Sequence, residues 1–273
     1  MDLIEAIILG LIEGLTEYLP VSSTGHLLIA QRLMGIEQGA AANAFAICIQ
    51  AGAIAAVLTL YWRRVVSVAR GLVGRDAAGL SLARNVVVAF LPAAVLGYLF
   101  GERIESHLFG PWPIVVAWAT GGVVILLVTW DKLGKPPRAG TPLEQLALRG
   151  ALVIGLIQCV AMWPGVSRSL VTIVGGVLVG LSLPAAVEFS FLLGVVTLGA
   201  ATGYKAVQHG GAIVDQYDMA TLAAGFLAAT LSAMLAVKWM VGYLNRHGLA
   251  IFGYYRLGIA AVVAFLLLRG WLA

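Results

Sequence analysis

The sequence predicts an all-α polytopic membrane protein: six transmembrane helices plus two re-entrant helix pairs, arranged as an inverted-topology repeat. Three observations carry this expectation. Of 273 residues, 61% are hydrophobic and only 11% charged, and the mean hydropathy is +0.97, whereas soluble domains carry about 25% charged residues. Six apolar runs reach or approach the ~20 residues that cross a bilayer. Finally, two interrupted segments resemble each other at half-chain spacing. Residues 10–22 read GLIEGLTEYLPVS and residues 155–167 read GLIQCVAMWPGVS, an offset of 145.

The elements follow in order. The N-terminus, MDLIEAIILG, is acidic and lacks the positive region of a signal peptide, so it is expected to be retained. Region 3–34 is apolar but broken at Pro20. Neither half is long enough to cross alone, so it reads as a pair that enters and leaves on one side. Non-helical backbone at that depth requires protein or a watery cavity around it. Spans are expected near 43–62, 84–101 and 112–130, followed by a linker, GKPPRAGTP, at 134–142. Region 149–180 is broken at Pro164-Gly165 and forms the second pair, before spans near 184–204, 219–241 and 250–270. The whole is one membrane domain, 1–273, with repeats 1–133 and 143–273.

Basic residues set the orientation. The loop after the first span holds Arg63, Arg64, Arg70, Arg75 and Arg84; that near 131–149 holds Lys132, Lys135, Arg138 and Arg149. The loop near 242–249 holds Arg246, with Lys238 before it and Arg256 after it. The other side offers little beyond Arg32, Arg103, Lys205 and Arg269. The positive-inside rule puts the richer loops in the cytoplasm. Three spans per half is an odd number, so the second half is inverted. The first pair then enters from outside and the second from inside, and their tips meet within the membrane. The net charge of +4 fits basic loops rather than a nucleic-acid surface. Cys48 and Cys159 lie in apolar runs, outside any CxxC or Cys/His cluster, and read as buried small hydrophobes.

The polar residues gather at the two breaks. Glu13 and Glu17 are four apart and share one helix face. Acids inside a membrane segment are costly and usually face a cavity, unless the helix lies shallow and they meet water. Two like charges this close call for a cation between them, a divalent metal or an arginine. Ser22, Ser23, Thr24 and His26 follow on the restarted helix. The hydroxyls suit a nucleophile, a phosphate contact or a helix cap, and histidine suits general acid/base work or a satisfied interior position. In the second break Arg168 stands between Ser167 and Ser169, with Thr172 one turn on. A guanidinium there suits a phosphate; the plainer alternative is a salt bridge to Glu13 or Glu17. Two inward-pointing helix N-termini add an anion cradle, and together the parts suit a clamped phosphoryl group. Gln50, Gln158 and Glu188 are weaker candidates for cavity lining or interhelical hydrogen bonds. Trp112, Trp118, Trp163 and Tyr254 read as anchors or packing, and Gly121-Gly122 and Gly175-Gly176 as close helix contacts.

EGLTEYLPVSSTGH (13–26) and WPGVSRSLVT (163–172) resemble the two signature motifs of the bacterial undecaprenyl-diphosphate phosphatases, the BacA or UppP family, and the resemblance covers essentially the whole chain. It implies hydrolysis of undecaprenyl diphosphate to undecaprenyl phosphate and inorganic phosphate, which replenishes the lipid carrier of peptidoglycan synthesis, and a link to bacitracin resistance. It implies a multi-pass protein of the bacterial inner (plasma) membrane, among membrane lipid, with a polyprenyl diphosphate lipid as substrate. It also implies a divalent metal, Mg2+ or Ca2+. By motif position, the family's functional residues fall on Glu13, Glu17, Ser22, Ser23, His26, Ser167, Arg168, Ser169 and Thr172. On this basis Glu17, Ser23, His26 and Arg168 are expected to be catalytic. Ser22, Thr24, Ser167, Ser169 and Thr172 are expected to bind substrate, and Glu13 and Glu17 to hold metal. Two positions depart from the pattern: Leu170 where Gly is common after Ser-Arg-Ser, and Ala46 where Glu is common after Phe45. A second lipid-phosphatase class, the phosphatidic-acid-phosphatase type, needs a histidine after its Ser-Arg motif; here none follows Arg168 until His209. The rival function is transport or lipid flipping, since inverted repeats and midplane acids serve secondary transporters equally. The site is expected to open outward, to the periplasmic side, and a homodimer is plausible.

Overall fold

The computed structural model describes residues 1–37, 39–129 and 140–272. The expected linker at 134–142 lies outside them as far as residue 139, as do Lys132, Lys135 and Arg138. The described residues fold into eleven α-helices with no strand. In order they are α1 (Leu3–Thr16), α2 (Ser23–Leu33), α3 (Ala40–Leu60), α4 (Trp62–Leu72), α5 (Ala77–Leu108), α6 (Pro111–Thr129), α7 (Leu148–Gln158), α8 (Arg168–Leu178), α9 (Leu183–Gln216), α10 (Met219–His247) and α11 (Ala250–Leu268).

α5, α6, α9, α10 and α11 are each long and apolar enough to cross a membrane, and α3 joins them when taken with α4, to which it is bent by 82°. The six expected spans all fall on these helices; by length and composition five qualify as spans, or six if the bent pair counts as one. Several run past the apolar segment that announced them: α5 begins at Ala77, where the apolar run begins near 84. Hydropathy marks the part of a helix that meets lipid, whereas the backbone ladder continues until a cap or breaker ends it. Asp76 starts α5 in this way, accepting from the Gly79 amide at 2.9 Å and the Ser67 hydroxyl at 2.7 Å. Those two donors hold its carboxyl below the usual aspartate range. The expected basic loop after the first span is instead helical. Arg63, Arg64 and Arg70 lie on α4, and Arg84 lies within α5.

α1 opens with a capping box. The Asp2 carboxylate accepts from the Glu5 amide at 2.8 Å and the Glu5 carboxylate from the Asp2 amide at 2.7 Å. α1 and α2 then form one broken pair and α7 and α8 the other. The restarts match at the sequence offset: α2 and α8 both have 11 residues and begin 145 positions apart, whereas α7 ends at Gln158 in a 3-10 turn, Cys159–Met162, that α1 lacks. Ser22 and Ser167, which precede α2 and α8, are the two non-glycine residues with positive φ among the described residues, at φ 71°, ψ 102° and φ 77°, ψ 110°.

The packing follows the same order. α1 packs along α10, and α7 along α5; α3 lies against α9, and α6 against α11. Each broken pair is therefore seated on a helix from the other half of the chain. Close approach is built in by small residues: a methyl at Gly14 would collide with the Ser232 hydroxyl and the Ala229 carbonyl of α10. One apolar cluster surrounds the breaks, joining Tyr18 and Val21 to Leu170 and Ile173 of α8, Phe191 of α9 and Met240 of α10. Leu170, the first departure from the family pattern, fills part of this core.

Candidate active site

The first break leaves helical geometry between Thr16 and Ser23, so its carbonyls need donors from elsewhere. Each finds one. Leu19 O accepts from the Ser169 hydroxyl at 2.9 Å, and Pro20 O from Arg256 Nη1 at 3.3 Å. Val21 O accepts from Trp118 Nε1 at 2.8 Å, and Ser22 O from His26 Nδ1 at 2.7 Å. In the second break Gly165 O accepts from Arg256 Nη2 at 2.9 Å. Ser167 caps α8 by accepting from the Leu170 amide at 3.3 Å, whereas Ser22 makes no such cap.

With the breaks held, three expected residues from the two halves meet. Glu17 Oε2 accepts the Ser23 hydroxyl at 2.5 Å, and Glu17 Oε1 accepts from Arg168 Nη2 at 3.0 Å. All three side chains are largely shielded from solvent, Glu17 and Ser23 being buried. Arg168 Nη1 donates to Ser190 O at 3.0 Å. Its Cζ stands 5.5 Å from the centre of the Tyr18 ring. The guanidinium occupies the space above Gly194, where a methyl would overlap it. Arg168 thus forms the salt bridge to Glu17 that was the plainer alternative for it, while its buried Nε has no hydrogen-bond partner. Thr172 donates to the Arg168 carbonyl at 2.8 Å and lies 2.6 Å from the Ser190 hydroxyl. Ser167 and Ser169 are 3.0 Å apart.

Glu13 is buried one turn before Glu17, and its Oε1 has no hydrogen-bond partner. It lines a polar cavity of about 140 Å³ together with Ser23, Thr24, Gln31, Gln50 and Lys205. Ala46, the second departure from the family pattern, lies on the same wall. On the other flank of the first break, an apolar groove of about 510 Å³ runs between α1, α10 and α11, lined by Leu15, Leu19, Trp239, Phe252 and Tyr255.

His26 is not in hydrogen-bonding contact with this trio. Its ring packs on Trp118 and Tyr255, and Nε2 lies 2.7 Å from the Tyr255 hydroxyl. A carbonyl only accepts, so Nδ1 carries a proton toward Ser22 O, and Nε2 of the neutral ring accepts from Tyr255. Glu188 is also elsewhere, pairing with Arg64 at 2.6 Å. Gln158 bonds between helices, accepting from Thr197 at 3.3 Å, and Gln50 both lines the cavity and accepts from Thr202 at 2.6 Å.

Sequence reasoning missed Ser190, Tyr255, Lys205 and Arg256. Ser190 and Tyr255 sit in apolar spans, and the residues singled out beside them, Glu188 and Tyr254, were read as cavity lining or interhelical contact and as a packing anchor. Arg256 did carry a signal, a charge inside an apolar run, but it was counted with the flanking basic loop. The structure corrects that reading: Arg256 lies in α11 and is fully buried.

Residues 6–262 match the family described as bacitracin resistance protein BacA. The chain is 44% identical over 263 residues to an undecaprenyl-diphosphatase of Sorangium cellulosum, covering 96% of this chain and 85% of that protein. It is also 44% identical to undecaprenyl-diphosphatase 2 of Rhodospirillum rubrum, covering 96% and 93%, and 43% identical to an undecaprenyl-diphosphatase of Cereibacter sphaeroides, covering 97% of each. With a match that spans nearly the whole chain and relatives at this identity, the protein belongs to the BacA family.

Proposed function

We propose that this site hydrolyses undecaprenyl diphosphate to undecaprenyl phosphate and inorganic phosphate, recycling the lipid carrier of cell-wall synthesis. The single observation that carries the mechanism is the Ser23–Glu17–Arg168 contact, which joins a hydroxyl, a carboxylate and a guanidinium from both halves of the chain. Glu17 takes the Ser23 proton as the oxygen attacks the terminal phosphorus. The bond from that phosphorus to the bridging oxygen breaks, and undecaprenyl phosphate leaves. Water then cleaves the phosphoserine and restores the hydroxyl. Arg168 has two tasks in sequence. Bound to Glu17, it orients the carboxylate so that the other oxygen faces the Ser23 hydroxyl. When a diphosphate enters, the guanidinium turns to its oxygens, and Glu17 is left next to Ser23 to take its proton.

The α2 and α8 N-termini add amide donors to the same region. The donor set fits a hard cation such as Mg2+ or Ca2+: Glu13, with a buried carboxylate oxygen that has no hydrogen-bond partner, lines a cavity together with amide and hydroxyl side chains. No group of three His, Cys, Asp or Glu exists among the described residues, so Glu13 would hold the ion with substrate oxygens and water. When bound, the ion supplies positive charge against the phosphate oxygens. His26, fixed by Ser22 and Tyr255, steadies α2 one turn beyond Ser23 and becomes a proton donor on small movement of its ring. The prenyl tail lies in the apolar groove between α1, α10 and α11.

The repeat is inverted on this reading, and the site opens outward. Ala42, at the start of α3, lines the polar cavity, whereas the arginine-rich α4 follows the far end of α3. The positive-inside rule assigns α4 to the cytoplasm, and hence the cavity to the periplasmic side.

The test is phosphate release from undecaprenyl diphosphate by detergent-purified protein with Mg2+, with Ca2+ and with EDTA. Metal-dependent release that Arg168→Ala abolishes is expected. Detergent removes compartments, so release there separates hydrolysis from transport. Folded protein without release under any condition overturns the phosphatase reading in favour of transport or flipping.

A further inference from the structure

Arg256 is a fully buried charged side chain that the mechanism leaves unused. It is 0% exposed in the middle of the molecule, and no carboxylate pairs with it among the described residues. Burying an unpaired cation at membrane depth is costly, and such residues usually hold a specific task. Its hydrogen bonds define that task. Nε donates to Trp118 O at 3.4 Å and Nη2 to Ala117 O at 2.7 Å, which anchors the guanidinium to α6. Nη1 donates to Pro20 O at 3.3 Å, and Nη2 also to Gly165 O at 2.9 Å.

Pro20 and Gly165 are the same position of the two repeats, 145 residues apart, and each stands two residues before its strained serine. One planar group therefore bridges the equivalent carbonyls of both breaks. The restarted helices begin three residues on, carrying Ser23 on one and Arg168 on the other. Lysine could not replace this bridge, since a single ammonium lacks the flat fork that reaches four carbonyls on three segments.

We infer that Arg256 is a positioning residue for the phosphatase reaction: its fork sets the distance between the two breaks and so holds Ser23 and Glu17 opposite Arg168. The inference rests on the hydrolase reading above. Arg256 itself faces backbone carbonyls and not the substrate, so its effect is on the geometry of attack more than on affinity.

The test compares Arg256→Lys, which keeps the charge and loses the fork, with Gly121→Ala, which keeps the arginine and displaces it. A methyl at Gly121 would overlap the guanidinium. Kinetics with undecaprenyl diphosphate are measured per folded molecule, with thermal unfolding in detergent alongside. A misplacement near 1 Å lowers turnover about a hundredfold, and this is the loss of kcat expected for Arg256→Lys, with KM little changed. Gly121→Ala is expected to lower kcat in the same selective way. The inference is overturned if Arg256→Lys retains wild-type kcat, or if activity falls only in step with the folded fraction. Should Arg256→Lys fail to fold, unchanged kcat in Gly121→Ala overturns it alone. Inactive wild-type enzyme would instead remove the phosphatase reading itself.

Discussion

At the residue scale, the two acids that share a helix face have different surroundings. Glu17 has both oxygens engaged, by Ser23 and by Arg168, while Glu13 keeps one oxygen free beside the polar cavity. On the proposed mechanism, loss of Ser23 or Glu17 should therefore differ from loss of Glu13. Ser23→Ala is expected to lower kcat about a thousandfold or more, and Glu17→Gln by about 10²–10⁴-fold. Glu13→Gln should instead raise the metal concentration needed for half-maximal activity. The measurement is initial rate against metal concentration for all three variants. Near-normal turnover in Ser23→Ala would replace the serine with a directly attacking water. The meeting of Glu17 with Arg168 was legible in the sequence because two like charges need a cation and the second break supplies one. Glu17's contact with Ser23 was not, since six residues of irregular backbone separate them. Nor was the Arg256 contact, because a hydropathy window averages a lone arginine into its flank instead of asking which carbonyls lack donors.

At the element scale, both broken pairs turn on a serine held at positive φ. A non-glycine residue in that conformation costs about 1–3 kcal/mol, which glycine relieves. The two serines are not equivalent in what their side chains return. Ser167 caps α8 through the Leu170 amide, and Ser22 makes no cap to α2. Ser22→Gly is thus expected to raise the unfolding temperature, while Ser167→Gly should leave it near or below the wild-type value because cap loss offsets the relief. Thermal unfolding of the two variants in the same detergent checks this, and equal gains would contradict it. The helices and both breaks were legible from apolar runs and from Pro20 and Pro164-Gly165. The extent of α5 and the turn into α4 were not. Both depend on capping and on amphipathic packing outside the apolar core, where hydropathy is silent.

At the scale of the whole molecule, the first helix of each broken pair belongs by sequence to one half and packs along a helix of the other. α1 lies along α10, and α7 along α5. Gly14 brings α1 so near α10 that no side chain fits between them, and the apolar cluster around the breaks draws on both halves. Half of the chain alone would expose these faces and strip donors from its break: Leu19 O would lose Ser169 and Pro20 O would lose Arg256, while Gly165 O would keep Arg256 without the α6 carbonyls that hold that guanidinium. Unsatisfied carbonyls in hydrocarbon are among the costliest defects a membrane protein can carry. The halves are therefore expected to be interdependent but not to need a covalent bond between them. Fragments split within 134–142 should be degraded or aggregated when expressed singly, and should co-purify with phosphatase activity when co-expressed. Co-purification through a tag on one fragment, with phosphate release as the readout, measures both. Two separately stable fragments would mean that each pair can be seated within its own half, and the exchanged packing would then be dispensable for folding.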